Sequence, residues 1–152
     1  MKALSENRRA FFDYEVLEKF EAGIELKGLE VKSSKLGRLN IAGSFALSRA
    51  TSRGGAEFWL INADIPPYQP NNTPADYNPK RSRRLLLTSK EIKYLLGKLT
   101  GENLTLVPLR VYTKRGLIKI ELGLVRPKKK YDKRETIKKR EAKKEIARTL
   151  KS

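Results

Sequence analysis

The stretch Lys80-Arg81-Ser82-Arg83-Arg84 concentrates four cations, directly after a Pro- and Asn-rich run that holds Tyr68 and Tyr77. Guanidinium groups present a planar fork of donors that fits phosphate, and nearby aromatic rings can stack on unpaired bases. The chemistry suggested is a grip on RNA, with Lys80, Arg81, Arg83 and Arg84 as phosphate contacts. The plainer reading is a solvated charge run. A second constellation, Glu30-Val31-Lys32 with Asp13 upstream, has the residue types of a metal-dependent nuclease. On one strand face, however, Glu30 and Lys32 are ordinary cross-strand partners, and neither a metal nor a cofactor is expected.

The third constellation is the C-terminal segment KKKYDKRETIKKREAKKEIARTLKS, from Lys128 to Ser152, whose large aliphatic residues are Ile137, Ile146 and Leu150. Asp132 and Glu135 have N-cap spacing, and Glu135–Lys139 is a favourable i, i+4 pair, so the sequence permits a helix. Ordering about 20 residues costs roughly 1–2 kcal/mol each in backbone entropy. Burying three aliphatic side chains returns about 1.5–3 kcal/mol apiece, and only against a partner surface. The tail is therefore expected to be disordered when free and helical when a phosphate-rich partner neutralises it.

Bulk charge agrees with that partner. The chain has 152 residues and a formal charge of +17, from 34 Lys and Arg against 17 Asp and Glu. Residues 126–152 hold 13 of the cations and 4 of the acids, net +9. The pattern is a body, 1–125, followed by a basic tail, 126–152. There is no Cys and no His, which removes disulfides, thiolate nucleophiles and the commonest general base. No run approaches the roughly 18 apolar residues of a membrane span. A cytoplasmic protein that is not an enzyme is expected.

The elements that must position these residues read mainly as strands. Phe12, Tyr14 and Val16 alternate with charged residues, as do Ile24 and Leu26; Phe45 with Leu47 and EFWLINADI (57–65) follow. LTLVPLRVY (104–112) and LIKIELGLV (117–125) form a hairpin across TKRG, with Ile118, Ile120, Leu122 and Leu124 on one face and Lys119, Glu121 and Gly123 on the other. A capping box at Thr88 and Glu91 starts a helix whose stripe is Ile92, Leu95, Leu96 and Leu99, and Gly101 is expected to stop it. A shorter helix is expected in EVKSSKLG, ended by Gly37. The segment 66–79 reads as a long exposed loop. About six short antiparallel strands with helices around them predict a mainly β, OB-like barrel.

Taken together, Asn7-Arg8-Arg9-Ala10…Asp13-Tyr14, FEAGIELKGLEVKS (20–33), Gly37, NPKRSRRLLL (78–87), LTLVPL (104–109) and YDKRETIKKRE (131–141) resemble the SsrA-binding protein family, also called small protein B. The resemblance implies an OB-like RNA-binding barrel and a basic tail. It implies binding to the tRNA-like domain of tmRNA and a part in trans-translation, the rescue of ribosomes stalled on truncated messages. The barrel would stand in for a missing anticodon arm. The tail would probe the small-subunit decoding centre and the empty mRNA channel, after delivery by elongation factor Tu. A monomer is expected.

Carried over by motif, the tmRNA contacts are Asn7, Glu21, Leu86 and Lys119, joined by Arg8, Arg9 and the cations of 80–84. Tyr131, Asp132, Lys133 and Arg134 match the decoding-centre segment, and Ile137, Lys138, Arg140, Ile146 and Leu150 the channel helix. Each body residue has a plainer reading: Asn7 could cap a turn, and Leu86 could be core. Two departures stand out. Arg126-Pro127 replaces a common Lys-Gly, which stiffens the exit from the last strand, and Asn78 replaces Asp before Pro79. Without the resemblance, charge and barrel fit a ribosomal or general RNA-binding protein with an rRNA-embedded tail equally well.

Overall fold

The structure, a computed structural model, describes residues 2–128, 134 and 137–144. Its elements run β1 (Lys2–Glu6), α1 (Arg8–Asp13), β2 (Tyr14–Ile24), α2 (Gly28–Lys35), β3 (Phe45–Ala50), β4 (Ala56–Ile61), β5 (Arg83–Leu86), α3 (Ser89–Gly101), β6 (Thr105–Lys114) and β7 (Leu117–Pro127). The strands pair antiparallel in the order β1-β6-β3-β4-β5-β2-β7, and β7 returns to β6. The ring β6-β3-β4-β5-β2-β7 is thus closed, with β1 laid along the free part of β6. This is the mainly β, OB-like barrel with packed helices that the alternation predicts.

The β6–β7 hairpin holds its ladder from Thr105↔Val125 to Lys114↔Leu117. Arg115 and Gly116 connect the strands with φ of 53° and 78°. Positive φ at both central residues is what a two-residue type I′ loop needs to match strand twist. Ile118, Ile120, Leu122 and Leu124 face the barrel interior, where Phe58, Leu60, Leu85, Leu106 and Val111 meet them. On the other face of β7, Gly123 is not solvent-facing. A Cβ there would lie 2.8 Å from Leu109 Cδ1, inside a smaller cluster of Ala10, Val107, Leu109 and Val125 beneath α1. Pro108, in the middle of β6, is tolerated because the register shifts between Pro108 and Arg110.

The α3 capping box forms as the sequence suggests: Thr88 Oγ1 accepts from the Glu91 amide and Glu91 Oε1 from the Thr88 amide. Leu95 of α3 is fully buried, and Ile92, Leu96 and Leu99 pack around it against the barrel. Gly101 is the last helical residue, and the extended Glu102 caps the end, so the helix stops at the expected glycine.

Four expectations change. Phe12 lies in α1, and the alternations near Phe12 and Ile24 belong to one 11-residue strand, β2. β1 (KALSE) and β5 (RRLL) are additional short strands, hidden by charged or polar residues at three of five and two of four positions. Glu30 and Lys32 sit on α2, not on a strand, because Glu30 closes the first turn of that helix by accepting from the Lys27 amide at 2.8 Å. Gly37, at φ 79°, follows α2 as anticipated. The 66–79 segment contains a single 3-10 turn at Pro70–Asn72 but is tied down rather than free. Tyr77 Oη donates to the Ile65 carbonyl at 2.7 Å, and Ser33 Oγ to that of Pro66 at 2.7 Å. Tyr77 is thereby anchored by its polar end.

Among the described residues no helix is long and apolar enough to cross a membrane. Replacing Gly123 by Ala forces Leu109 to move within a packed cluster. We expect a loss of about 1–3 kcal/mol in chemical denaturation, with the slope unchanged.

Candidate nucleic-acid interface

Strand parity decides which of the sequence-predicted contacts face outward. β5 begins at Arg83 and alternates from there: Arg83 and Leu85 point in, Arg84 and Leu86 point out. Arg83 is 0% exposed. It is a correction to the predicted phosphate patch. Its Nε and Nη2 donate to Glu30 Oε2 at 2.9 and 2.6 Å, and its Nη1 to the Ala63 carbonyl at 2.7 Å. All of its reach is spent inside the protein. Arg81 donates to Glu30 Oε1 at 2.6 Å, and Arg84 lies 3.6 Å from both Glu25 and Glu57. Lys80 is exposed. The four cations of 80–84 therefore do not form one patch.

Glu30 has opposing influences. Burial raises its pKa, but hydrogen bonds from Arg81, the Lys27 amide and Arg83 overcome this and hold it below the ordinary carboxylate value. The nuclease reading loses its carboxylate to these arginines. Asp13 lines a different cavity, beside Asn7 and Arg9, and pairs with Arg9 at 3.4 Å. Among the described residues no cluster of three acidic side chains could hold a metal.

Asn7 is the second correction. It is 3% exposed and caps α1, its Oδ1 accepting from the Ala10 amide at 3.2 Å and its Nδ2 donating to the Pro108 carbonyl at 2.9 Å. Donor and acceptor are both consumed in holding α1 against β6. Arg8 and Arg9, on the outside of α1, remain exposed.

The remaining three body contacts come together. Registry places Leu86 of β5 opposite Gly23 of β2, Gly23 opposite Lys119 of β7, and Lys119 opposite Tyr112 of β6. Four strands thus contribute one row across the outer face. Glu21, two residues before Gly23 on the same face, accepts hydrogen bonds from the Tyr112 hydroxyl and from Lys114 Nζ at 3.4 Å. The Tyr112 bond is the main reason Glu21 sits below the usual carboxylate range; partial desolvation opposes it, and Lys114 and Lys119 reinforce it. Conversely, burial and the bond to Glu21 push the Tyr112 phenol up. Leu86 is 45% exposed, so its place is not in the core.

Tyr112, Lys114, Leu117 and Gly23 were missed as members of this surface. The hairpin register, counted from the Arg115-Gly116 loop, contained the signal: Lys114 and Leu117 face each other beside the turn, and Tyr112 faces Lys119.

In the tail, Arg134 and residues 137–144 are helical, and every residue of 137–144 is exposed. Ile137 is 42% exposed, and the Arg140 guanidinium lies 5.7 Å from the Phe12 ring centre. Tyr131, Asp132, Lys133, Ile146 and Leu150 lie outside the described residues. The root of the tail is fixed: Tyr14 pairs with Pro127, Arg126 Nε donates to Glu15 at 2.8 Å, and the Lys128 amide donates to the Asp13 carbonyl at 3.0 Å.

A closed antiparallel barrel with lysines, an acceptor carboxylate and exposed leucines on one face is an OB-like barrel with a surface of a chemistry suited to RNA. Comparison makes the class specific. The chain belongs to the SmpB protein family, whose sequence pattern matches residues 4–152. It is 49% identical over 151 residues to the SsrA-binding protein of Carboxydothermus hydrogenoformans, covering 99% of this chain and 97% of that protein. It is 47% identical over 150 residues to the SsrA-binding protein of Trichodesmium erythraeum, covering 99% and 93%. A solved structure described as "tmRNA-SmpB: a journey to the center of the bacterial ribosome" contains a chain 48% identical, with a TM-score of 0.63 over 82% of this chain and 84% of that one.

Changing Arg83 to Met leaves Glu30 buried with one guanidinium fewer. We expect a loss of about 3–5 kcal/mol in denaturant titration near neutral pH. The Glu30 pKa is lowered on folding, so its contribution is present above about 4.5 and lost as pH falls through the folded value. The deficit of the variant relative to the parent should therefore shrink in acid.

Proposed function

We propose that this protein binds the tRNA-like domain of tmRNA through its barrel and serves trans-translation, rescuing ribosomes stalled on truncated mRNA. The observation that carries this reading is the row Leu86–Gly23–Lys119–Tyr112 with Glu21 beside it, on a chain that is nearly half identical along its length to SsrA-binding proteins. Lys119 supplies charge for phosphate, Leu86 an apolar face for a base, and Glu21 a fixed acceptor for base or sugar donors. Arg8, Arg9 and Lys80 add exposed charge at the margins, and Arg81 and Arg84 contribute from ion pairs they would share with RNA. No catalytic step is required of any of these groups.

In this reading the barrel occupies the place of the anticodon arm that the tRNA-like domain lacks, and elongation factor Tu brings the complex to the ribosome. The tail then enters the decoding centre with Tyr131, Asp132, Lys133 and Arg134. Ile137, Lys138, Arg140, Ile146 and Leu150 lie along the empty mRNA channel. The division is therefore a body, 1–125, that selects the RNA and a tail, 126–152, that inspects the ribosome. That no side chain of 137–144 is buried supports it, since a helix with so little to bury in its own chain needs a surface supplied by a partner.

The test is binding to the tRNA-like portion of tmRNA at about 150 mM salt, competed with excess ordinary tRNA. Poor competition is expected; equal competition would move the protein to the general RNA-binding class. Lys119→Ala should weaken binding and lower the log–log salt slope by roughly 0.7–0.9. Deleting residues 131–152 should leave that binding nearly unchanged and abolish tagging of nascent chains on stalled ribosomes. Equal loss of both activities would overturn the division of labour.

A further inference from the structure

A cleft of about 360 Å³ opens between the start of α2 and residues 74–81, and none of Glu21, Gly23, Leu86, Lys119 or Tyr112 lines it. Its volume lies in the lower range of small-molecule pockets, roughly 300–1,000 Å³. Leu29, Pro74 and Tyr77 give it apolar walls, and Lys27, Lys32 and Arg81 bring three cations to its surface. Two carboxylates also line it, and they do not cancel these cations. Glu30 is shared between Arg81 and Arg83, each at 2.6 Å, and Asp76 is exposed to solvent. Bonds within the chain hold the walls at a set spacing. Ser33 Oγ donates to the Pro66 carbonyl, Tyr77 Oη to that of Ile65, and Arg81 Nη2 to Glu30. Lys32 Nζ is kept on the same side, 5.7 Å from the Tyr68 ring centre.

Arg81 is not used up by its bond to Glu30. Among the described residues its Nε is buried with no hydrogen-bond partner, and its Nη1 reaches the Ser82 carbonyl only at 3.3 Å. A buried donor left unpaired is a cost that an incoming acceptor relieves. A small turn of the guanidinium about its bond to Glu30 gives up only the long Ser82 contact. We propose that this cleft binds a small planar aromatic anion, with its ring against Leu29 and Tyr77 and its carboxylate on Lys27, Lys32 and Arg81. Three features choose the occupant. The excess of cations calls for an anion, and an arginine fork matches a carboxylate. The apolar walls disfavour a small hydrated ion, which would lose water there without replacing it. The Tyr77 ring, anchored through its hydroxyl, offers a fixed flat surface on which another ring can pack. The inference does not depend on the RNA-binding reading above, and either can fail without the other.

The experiment is a titration of the full-length protein, labelled at leucine methyls, with benzoate at fixed ionic strength. Benzamide, acetate and inorganic phosphate are titrated beside it. Benzoate should move the Leu29 methyls upfield through its ring current, saturably, and leave those of Leu86 and Leu117 in place. Benzamide, which lacks the charge, and acetate and phosphate, which lack the ring, should each bind about tenfold more weakly or worse. Lys32→Glu, on an exposed side chain and with the parental fold checked by circular dichroism, should weaken benzoate by about tenfold. A Leu29 shift that does not saturate, or that Lys32→Glu leaves unchanged, overturns the proposal. So does an equal response to benzamide, which would leave only an apolar surface. An equal response to acetate or phosphate overturns it from the other side, because the cleft would then be a general anion contact with no use for its apolar walls.

Discussion

The Glu30–Arg83 pair fixes the geometry on which the proposed RNA-facing surface depends. Neither side chain reaches water, and burying two charges is expensive unless each remaining donor and acceptor is satisfied. Here they are shared widely. Glu30 accepts from Arg81, Arg83 and the Lys27 amide, while Arg83 also donates to the carbonyls of Ala63 and Pro79. One ion pair thus joins the start of α2, the extension of β4 at Ala63, the Pro79 end of the 66–79 segment and the first residue of β5. Its energetic return over a hydrophobic replacement is modest. Its structural return is the register of β5, because slipping that strand by one residue would turn Leu86 inward and Leu85 outward.

From that anchored register the interface follows by strand parity. Gly23 is the shared pairing partner of Leu86 on one side and Lys119 on the other, so β2 sits at the centre of the face. β2 itself is held along almost its whole length by β7, with a shift between Val16 and Glu18 that leaves Leu17 exposed. Tyr112 then reaches from β6 to fix the Glu21 carboxylate. The proposed interface is built on strands of a closed barrel, with Lys114 and Leu117 facing each other beside the hairpin turn. A rigid platform of this kind holds its donors and acceptors at fixed spacing.

Much of this was legible in the sequence, and the failures have a common cause. The hairpin, α3 and its capping box were readable because their hydrophobic periods are long and their caps specific. β5 was not, since RRLL offers two arginines before two leucines and no period-two contrast. Its inward arginine is tolerated only because Glu30, 53 residues earlier, waits for it. That same long-range pairing removed Arg83 from the predicted RNA contacts and took Glu30 away from nuclease chemistry. Asn7, carried over with the family motifs as a contact, takes its plainer reading: it caps α1, whose first turn left an amide donor that a nearby side chain satisfies. Glu21, Leu86 and Lys119 were named from the family motifs, and it was the fold that put them in one place.

The root of the tail closes the argument. A flexible joint at this point would let the basic extension sample all directions, but Arg126 and Pro127 remain in β7, and Lys128 is bonded to α1 through its amide and through Nζ to the Phe11 carbonyl at 3.1 Å. The last strand thereby extends two residues beyond its final buried side chain, Val125. Proline at 127 needs no amide partner there, and its fixed φ suits an extended exit. The direction in which the tail leaves the barrel is therefore set by the same β2–β7 pairing that centres the RNA face. The proposed binding face at one end and the departure of the tail at the other are rigidly related through two long strands, so in the proposed function orienting the barrel on an RNA would also aim the tail.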